Sequence, residues 1–221
     1  MELRDWAQQI LTSSNLSDKL YCPDTLTDET PGSPLLISEP VRSADLSFKK
    51  HTRRDRLPSL LALGSPDKRA VCLHRFAGHE LLAVEIMAHA LLAFPNTPKN
   101  FRKGVAHTLQ EEQEHVRLYI QRLEAMGVRF GDLPLYRHFW SYVHYLTTPL
   151  RYVSMMSMTF EMANLDFAPI YGEAFASHGD TASENLMKQI FTDEIQHVAF
   201  GSKWLQNFKD PAISPYEAWL Q

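Results

Sequence analysis

Two stretches of this 221-residue chain read Glu-x-x-His: Glu112 with His115 in "EEQEHVRL", and Glu194 with His197 in "DEIQHVAF". Residues three apart share a helix face, so each pair points a carboxylate and an imidazole the same way. Both pairs interrupt apolar stripes. Val105, Leu109, Val116 and Leu123 surround the first, and Met187, Ile190, Phe191 and Val198 the second. A carboxylate buried among such neighbours needs a partner charge, a metal ion or a proton.

A metal reading requires further carboxylates from other helices. "MTFEMANLDF" offers Glu161 on an apolar face, and "GHELLAVEIMAHALLAF" offers both Glu80 and Glu85. Periodicity cannot choose between the last two, but hairpin depth can. Glu80 lies fourteen residues before Phe94 and Glu112 fourteen after Pro98, so the two reach one level around a tight turn. Glu85 falls out of step by roughly 7.5 Å at 1.5 Å rise per residue. Glu80 is therefore favoured, with Glu85 as the second candidate ligand. Asp193, beside Glu194, is placed to orient a ligand imidazole.

The elements that must carry these residues are marked by their caps. Ser65-Pro66 opens a helix over about 66–94, Thr97-Pro98 a second over 98–126 ended by Gly127, and Thr148-Pro149 a third. Pro169 should kink or break the third, although matched depth with Glu194 requires helix to continue to about Ala174. Thr181 with Glu184 reads as a capping box opening the fourth, which runs to about Phe208. Two tight hairpins joined by about twenty residues, among them the aromatic "LYRHFWSYVHYL", describe an all-α four-helix bundle with one long crossover over residues 65–221. Residues 1–64 form a short helix, "RDWAQQILTSSNLSDKL", and an irregular Pro-rich arm packing on the bundle.

One Glu from each of two helices and one Glu-x-x-His from each of the other two form the ligand set of a carboxylate-bridged dinuclear site. This mixture of oxygen and imidazole donors suits two iron ions, with manganese the close competitor. The motifs "EEQEH", "FEMANLD" and "DEIQHVAFG" resemble those of the ferritin-like di-iron carboxylate superfamily. More closely, "RAVCLHRFAGHELLAVEIMAHALLAFP", "TFEMANLDFAP" and "TDEIQHVAFGSKW" are similar to the uncharacterised ferritin-like family DUF455. The resemblance implies a ferritin-like fold and a metal site at Glu80, Glu112, His115, Glu161, Glu194 and His197. The chain departs from the family pattern in having Gly78 where a histidine is usual.

Composition narrows the function. Cys22 and Cys72, the two cysteines, lack metal-ligand spacing and suit a reducing cytoplasm. No signal segment or continuous apolar span of membrane length is evident. The favoured expectation is an oxygen-activating oxidoreductase, a hydroxylase using dioxygen on a small-molecule substrate with an external electron donor. A ferroxidase or metal-handling protein is the alternative, and a homodimer is compatible with either. A tRNA-modifying hydroxylase would use Lys49, Lys50, Arg53, Arg54 and Arg56 on phosphates, but a formal charge of -4 argues against RNA.

Overall fold

The computed structural model describes residues 1–50, 52 and 55–221. Its regular structure is helical, and the described residues hold only two isolated β-bridges, Glu2 with Thr27 and Phe48 with Leu135. The N-terminal segment is divided between α1 (Leu3–Thr12) and α2 (Leu16–Lys19), interrupted at Ser13–Asn15. The long helices are α3 (Pro66–Ala93), α4 (Lys99–Glu124), a composite third rod, and α7 (Thr181–Phe208). α3 packs along α4, α4 meets α7, and the third rod lies against α7.

Residues 1–50 are not a separate layer. Trp6, Ile10 and Leu11 of α1 are fully buried in the same core as Leu81, Val84 and Leu92 of α3. The arm then follows α3: Leu35 N–H donates to Leu92 O (3.0 Å), and Trp140 Nε1–H donates to Ser38 O (3.0 Å). By length and composition α3 could cross a membrane, yet 94% of its most apolar window is buried in protein. Its apolarity is that of a core helix covered on all sides.

Ser65 caps α3 with Pro66 at its first position, as expected, though without a side-chain cap bond. Other boundaries differ from the sequence expectation. Pro98, expected inside α4, is its cap residue, while Thr97 Oγ1 donates back to Phe94 O at 2.8 Å. The expected Thr181–Glu184 capping box does not form. Asp180 caps α7 instead, accepting from Ser183 N–H at 3.0 Å, and its carboxylate also binds Arg69 (2.9 Å) and Arg122 (2.8 Å). A charged acceptor held by two guanidiniums displaces a neutral hydroxyl one residue later. The aromatic crossover forms a 3₁₀ helix, Phe139–Tyr145.

The third rod departs most. Thr148 caps α5 (Pro149–Met155), accepting from Arg151 N–H, and α6 (Met162–Ser177) continues unbroken through Pro169. Pro169 lies on the exposed face, where the carbonyl it frees can meet water, so it does not break the helix. The irregularity comes earlier, as a widened π turn over Met156–Glu161 in which Thr159 Oγ1 donates to Ser154 O at 2.8 Å. An α7 glycine accommodates it: a Cβ at Gly201 would lie 2.2 Å from Ser157 Cβ. Gly201→Ala is therefore expected to displace the π turn and cost about 1–3 kcal/mol, read as a lower urea midpoint at unchanged m-value.

Candidate metal centre

Each long rod brings one acidic position to a common level. α4 supplies Glu112 and His115, α7 supplies Glu194 and His197, α3 supplies Glu80, and the π turn ends on Glu161. All six side chains are buried, Glu80 the most accessible at 5%. Their donor atoms fall into two quartets, each gathered within 4.8 Å: Glu80, Glu112, His115 and Glu194, then Glu112, Glu161, Glu194 and His197. Glu112 and Glu194 belong to both quartets, while Glu80 and Glu161 each belong to one.

The imidazoles are oriented from both ends. His115 Nδ1 faces Glu112 Oε2 (3.2 Å) and its Nε2 faces Asp193 Oδ2 (3.1 Å). His197 Nδ1 faces Glu194 Oε2 (3.3 Å) and its Nε2 faces Glu111 Oε2 (3.0 Å). The outer acid thus comes from the opposite helix each time, α7 orienting the α4 histidine and α4 the α7 histidine. Asp193, expected to orient an imidazole, lies against His115. Glu111 was missed, although each motif reads acid-Glu-x-x-His and that doubling was the available signal. Asn164 Nδ2 donates to Glu194 Oε1 (2.8 Å).

Charge is concentrated here. Burial, reinforced by Glu112, pushes the Glu80 carboxyl well above its usual range, and burial with Glu194 and Glu112 does the same to Glu161. Burial alone would raise Glu112 too, but His115 and His197 hold it well below the ordinary value. Both imidazoles are raised in turn, against the opposing effect of burial, by the carboxylates around them. Glu161 Oε1 and Glu112 Oε1 make no hydrogen bond. The latter lies 3.1 Å from His197 Nδ1 but out of line. Oxygen donors buried without partners, at like charges' mutual cost, are what one or two hard cations would relieve. The donor set of carboxylate oxygen and imidazole fits iron or manganese.

Glu85 is not part of this cluster. It lies fully buried further along α3, paired with Lys19 Nζ (3.0 Å) and Arg42 Nη2 (2.6 Å). The second candidate ligand is therefore committed to the N-terminal arm, and the offset in depth that disfavoured it is the geometric reason. A side chain at Gly78 would run into Leu135 Cδ2 at 2.7 Å, so the crossover occupies the space a histidine there would need. His74 accepts from Gly131 N–H (3.0 Å), and Tyr119 O–H points to Met187 Sδ (3.5 Å). In the basic run, Lys49, Lys50 and Arg56 are exposed, whereas the expectation for Arg53 and Arg54 lies outside the described residues.

The outer acids supply a test. Asp193→Asn and Glu111→Gln keep shape but weaken the polarisation of each imidazole, and each is expected to lower metal affinity about 10–100-fold. Competition with a chromophoric chelator measures this, and equal losses are expected because the two contacts are equivalent.

A curated relative from Haemophilus influenzae, named "Uncharacterized protein", is 26% identical over 143 residues, covering 61% of this chain and 50% of that protein. The chain thus spans about half the length of the relative it matches. No solved structure matches it. The family model that does match, over residues 3–221, shows that the chain belongs to the family described as protein of unknown function, DUF455.

Proposed function

We propose that this protein is a ferritin-like four-helix bundle holding a dinuclear metal centre, most simply two iron ions, and that it is an oxygen-activating oxidoreductase. The observation that carries this reading is the sharing of Glu112 and Glu194 between two donor quartets. Glu112 and Glu194 would contribute to holding both ions, Glu80 with His115 would hold one, and Glu161 with His197 the other. A reduced iron pair would supply electrons to dioxygen, with an external donor restoring them. The chain's own part is to fix the two imidazoles through Asp193 and Glu111, steady Glu194 through Asn164, and keep bulk water away.

A small cavity adjoins the cluster. Glu80 and Glu161 border it with Tyr119, Phe139, Phe160 and Met187, and it offers about 40 Å³. That admits dioxygen or a few waters, at roughly 10–15 Å³ for each water-sized sphere. A largely apolar wall beside the two end carboxylates favours oxidation of an organic molecule over passage of hydrated iron. Oxygen titration of the ferrous-loaded chain with excess ferrous iron separates these readings. Oxidation that stops when the resident ions are spent, with both retained, supports the oxidoreductase. Continued oxidation of added iron with release of ferric product supports the ferroxidase.

Metal uptake should also be coupled to protons. Glu80 and Glu161 have raised values and hold protons until a cation replaces them, so lower pH means more protons to displace and weaker binding. Affinity is expected to rise with pH, and calorimetry in buffers of different ionisation enthalpy should show net proton release.

A further inference from the structure

A second cavity, a surface groove of about 550 Å³, opens beyond the small one and is lined by Tyr142, Tyr145, Arg151, Ser154, Phe160 and Trp219 among others. Among the described residues Phe160 alone lines both spaces. It stands immediately before Glu161 on the π turn, stacked on Phe139 (centroids 4.4 Å, 22°) and edge-on to Tyr142 (6.0 Å, 60°). A π turn holds its side chains by poorer backbone geometry than an α-helix, and the 3₁₀ crossover that carries Phe139 and Tyr142 does likewise.

The groove has one charged side chain, Arg151. Among the described residues its guanidinium reaches only Thr147 Oγ1 (3.3 Å), and no carboxylate pairs with it. One turn along α5, on the same face, Ser154 is 7% exposed and its hydroxyl has no hydrogen-bond partner. A guanidinium and a buried, unsatisfied hydroxyl lining one groove suit a carboxylate, while the Tyr142, Tyr145, Phe160 and Trp219 surfaces suit an apolar body. Arg151 and Glu161 are ten residues apart, roughly 15 Å along the rod at 1.5 Å per residue. A molecule anchored at one end and reacting at the other must be elongated.

Resting on the dinuclear reading above, we propose that this groove is the substrate site, that it takes an elongated apolar monocarboxylate held by Arg151 and Ser154, and that Phe160 is the gate separating it from the metal-side cavity. The volume lies within the roughly 300–1,000 Å³ of small-molecule sites, whereas the inner cavity alone holds no organic substrate. Movement of one ring along the face of Phe139 joins the two spaces without unfolding a helix.

The test uses the metal-free full chain, so that its failure leaves the metal centre to be judged separately. In calorimetric titration, 6-phenylhexanoate should bind with one-to-one stoichiometry and about ten-fold more tightly than 6-phenylhexanol. Arg151→Gln should erase that preference while leaving the alcohol unchanged. For the gate, the rate at which N-ethylmaleimide alkylates Ala83→Cys, which lines the inner cavity, is followed by site-resolved mass spectrometry. Phe160→Ala should raise it about ten-fold and the better-packed Phe160→Leu to a lesser degree, and bound 6-phenylhexanoate should slow it. No binding of the acid, or a preference untouched by Arg151→Gln, overturns the site. Alkylation rates indifferent to both Phe160 variants, with circular dichroism unchanged, overturn the gate.

Discussion

Glu112→Ala is expected to remove both metal ions from the chain, whereas Glu80→Ala should weaken chiefly one. Glu112 belongs to both donor quartets, so its loss would take a donor from each of the two positions an ion would occupy. Glu80 belongs to one quartet, and its loss leaves Glu112, Glu161, Glu194 and His197 intact. Helix content should survive the larger change, because the surrounding positions Leu109, Val116 and Leu123 are apolar and fully buried. Metal analysis after loading and desalting, beside circular dichroism, checks the contrast. Full metal content in folded Glu112→Ala would contradict the shared role.

The opposite outcome is expected at Glu85. Glu85→Ala leaves Lys19 and Arg42 buried without their counter-charge, and removing one partner of such a group costs about 3–5 kcal/mol. Lys19 is fully buried and, among the described residues, its Nζ otherwise reaches only a carbonyl, Ile10 O at 2.6 Å. Burial already lowers its proton affinity against the raising effect of Glu85, so loss of Glu85 should lower it further. The predicted signature is a sharply reduced unfolding midpoint with metal content unchanged in the folded fraction. A stable variant that has lost metal would instead make Glu85 a ligand.

Glu80 and Glu85 show what a sequence can and cannot disclose here. Five positions apart on one helix, with similar neighbours, they are indistinguishable by period, and only the count around the hairpin turn separates them. That count works because α-helical rise is constant across α3 and α4. Nothing comparable reveals the partners of Glu85, since Arg42 comes from an arm with no repeating pattern to give its register. The Glu-x-x-His pairs were legible because three residues define one face whatever the helix packs against.

Contacts between helices were less accessible. Glu111 stands on its own helix as one more acid beside Glu112, and its contact with His197 depends on how α4 and α7 cross. The π turn left no mark in the apolar pattern, yet it adds a residue just before Glu161 and so turns that carboxylate relative to the rest of the rod. Pro169 does not break the helix for the converse reason: a strong local signal counts for less where the freed carbonyl faces solvent. The cap of α7 moved by one residue because Arg69 and Arg122, distant in sequence, favour Asp180.

The central claim is that the shared carboxylates hold two ions as a pair. The most direct measurement is Mössbauer spectroscopy of protein loaded anaerobically with isotopically enriched ferrous iron, desalted, and then oxidised, with iron counted per chain. The account predicts two irons per chain, one for each quartet, that become a spin-coupled ferric pair on oxidation. A chain that retains no iron, or holds a single uncoupled ion, would contradict it.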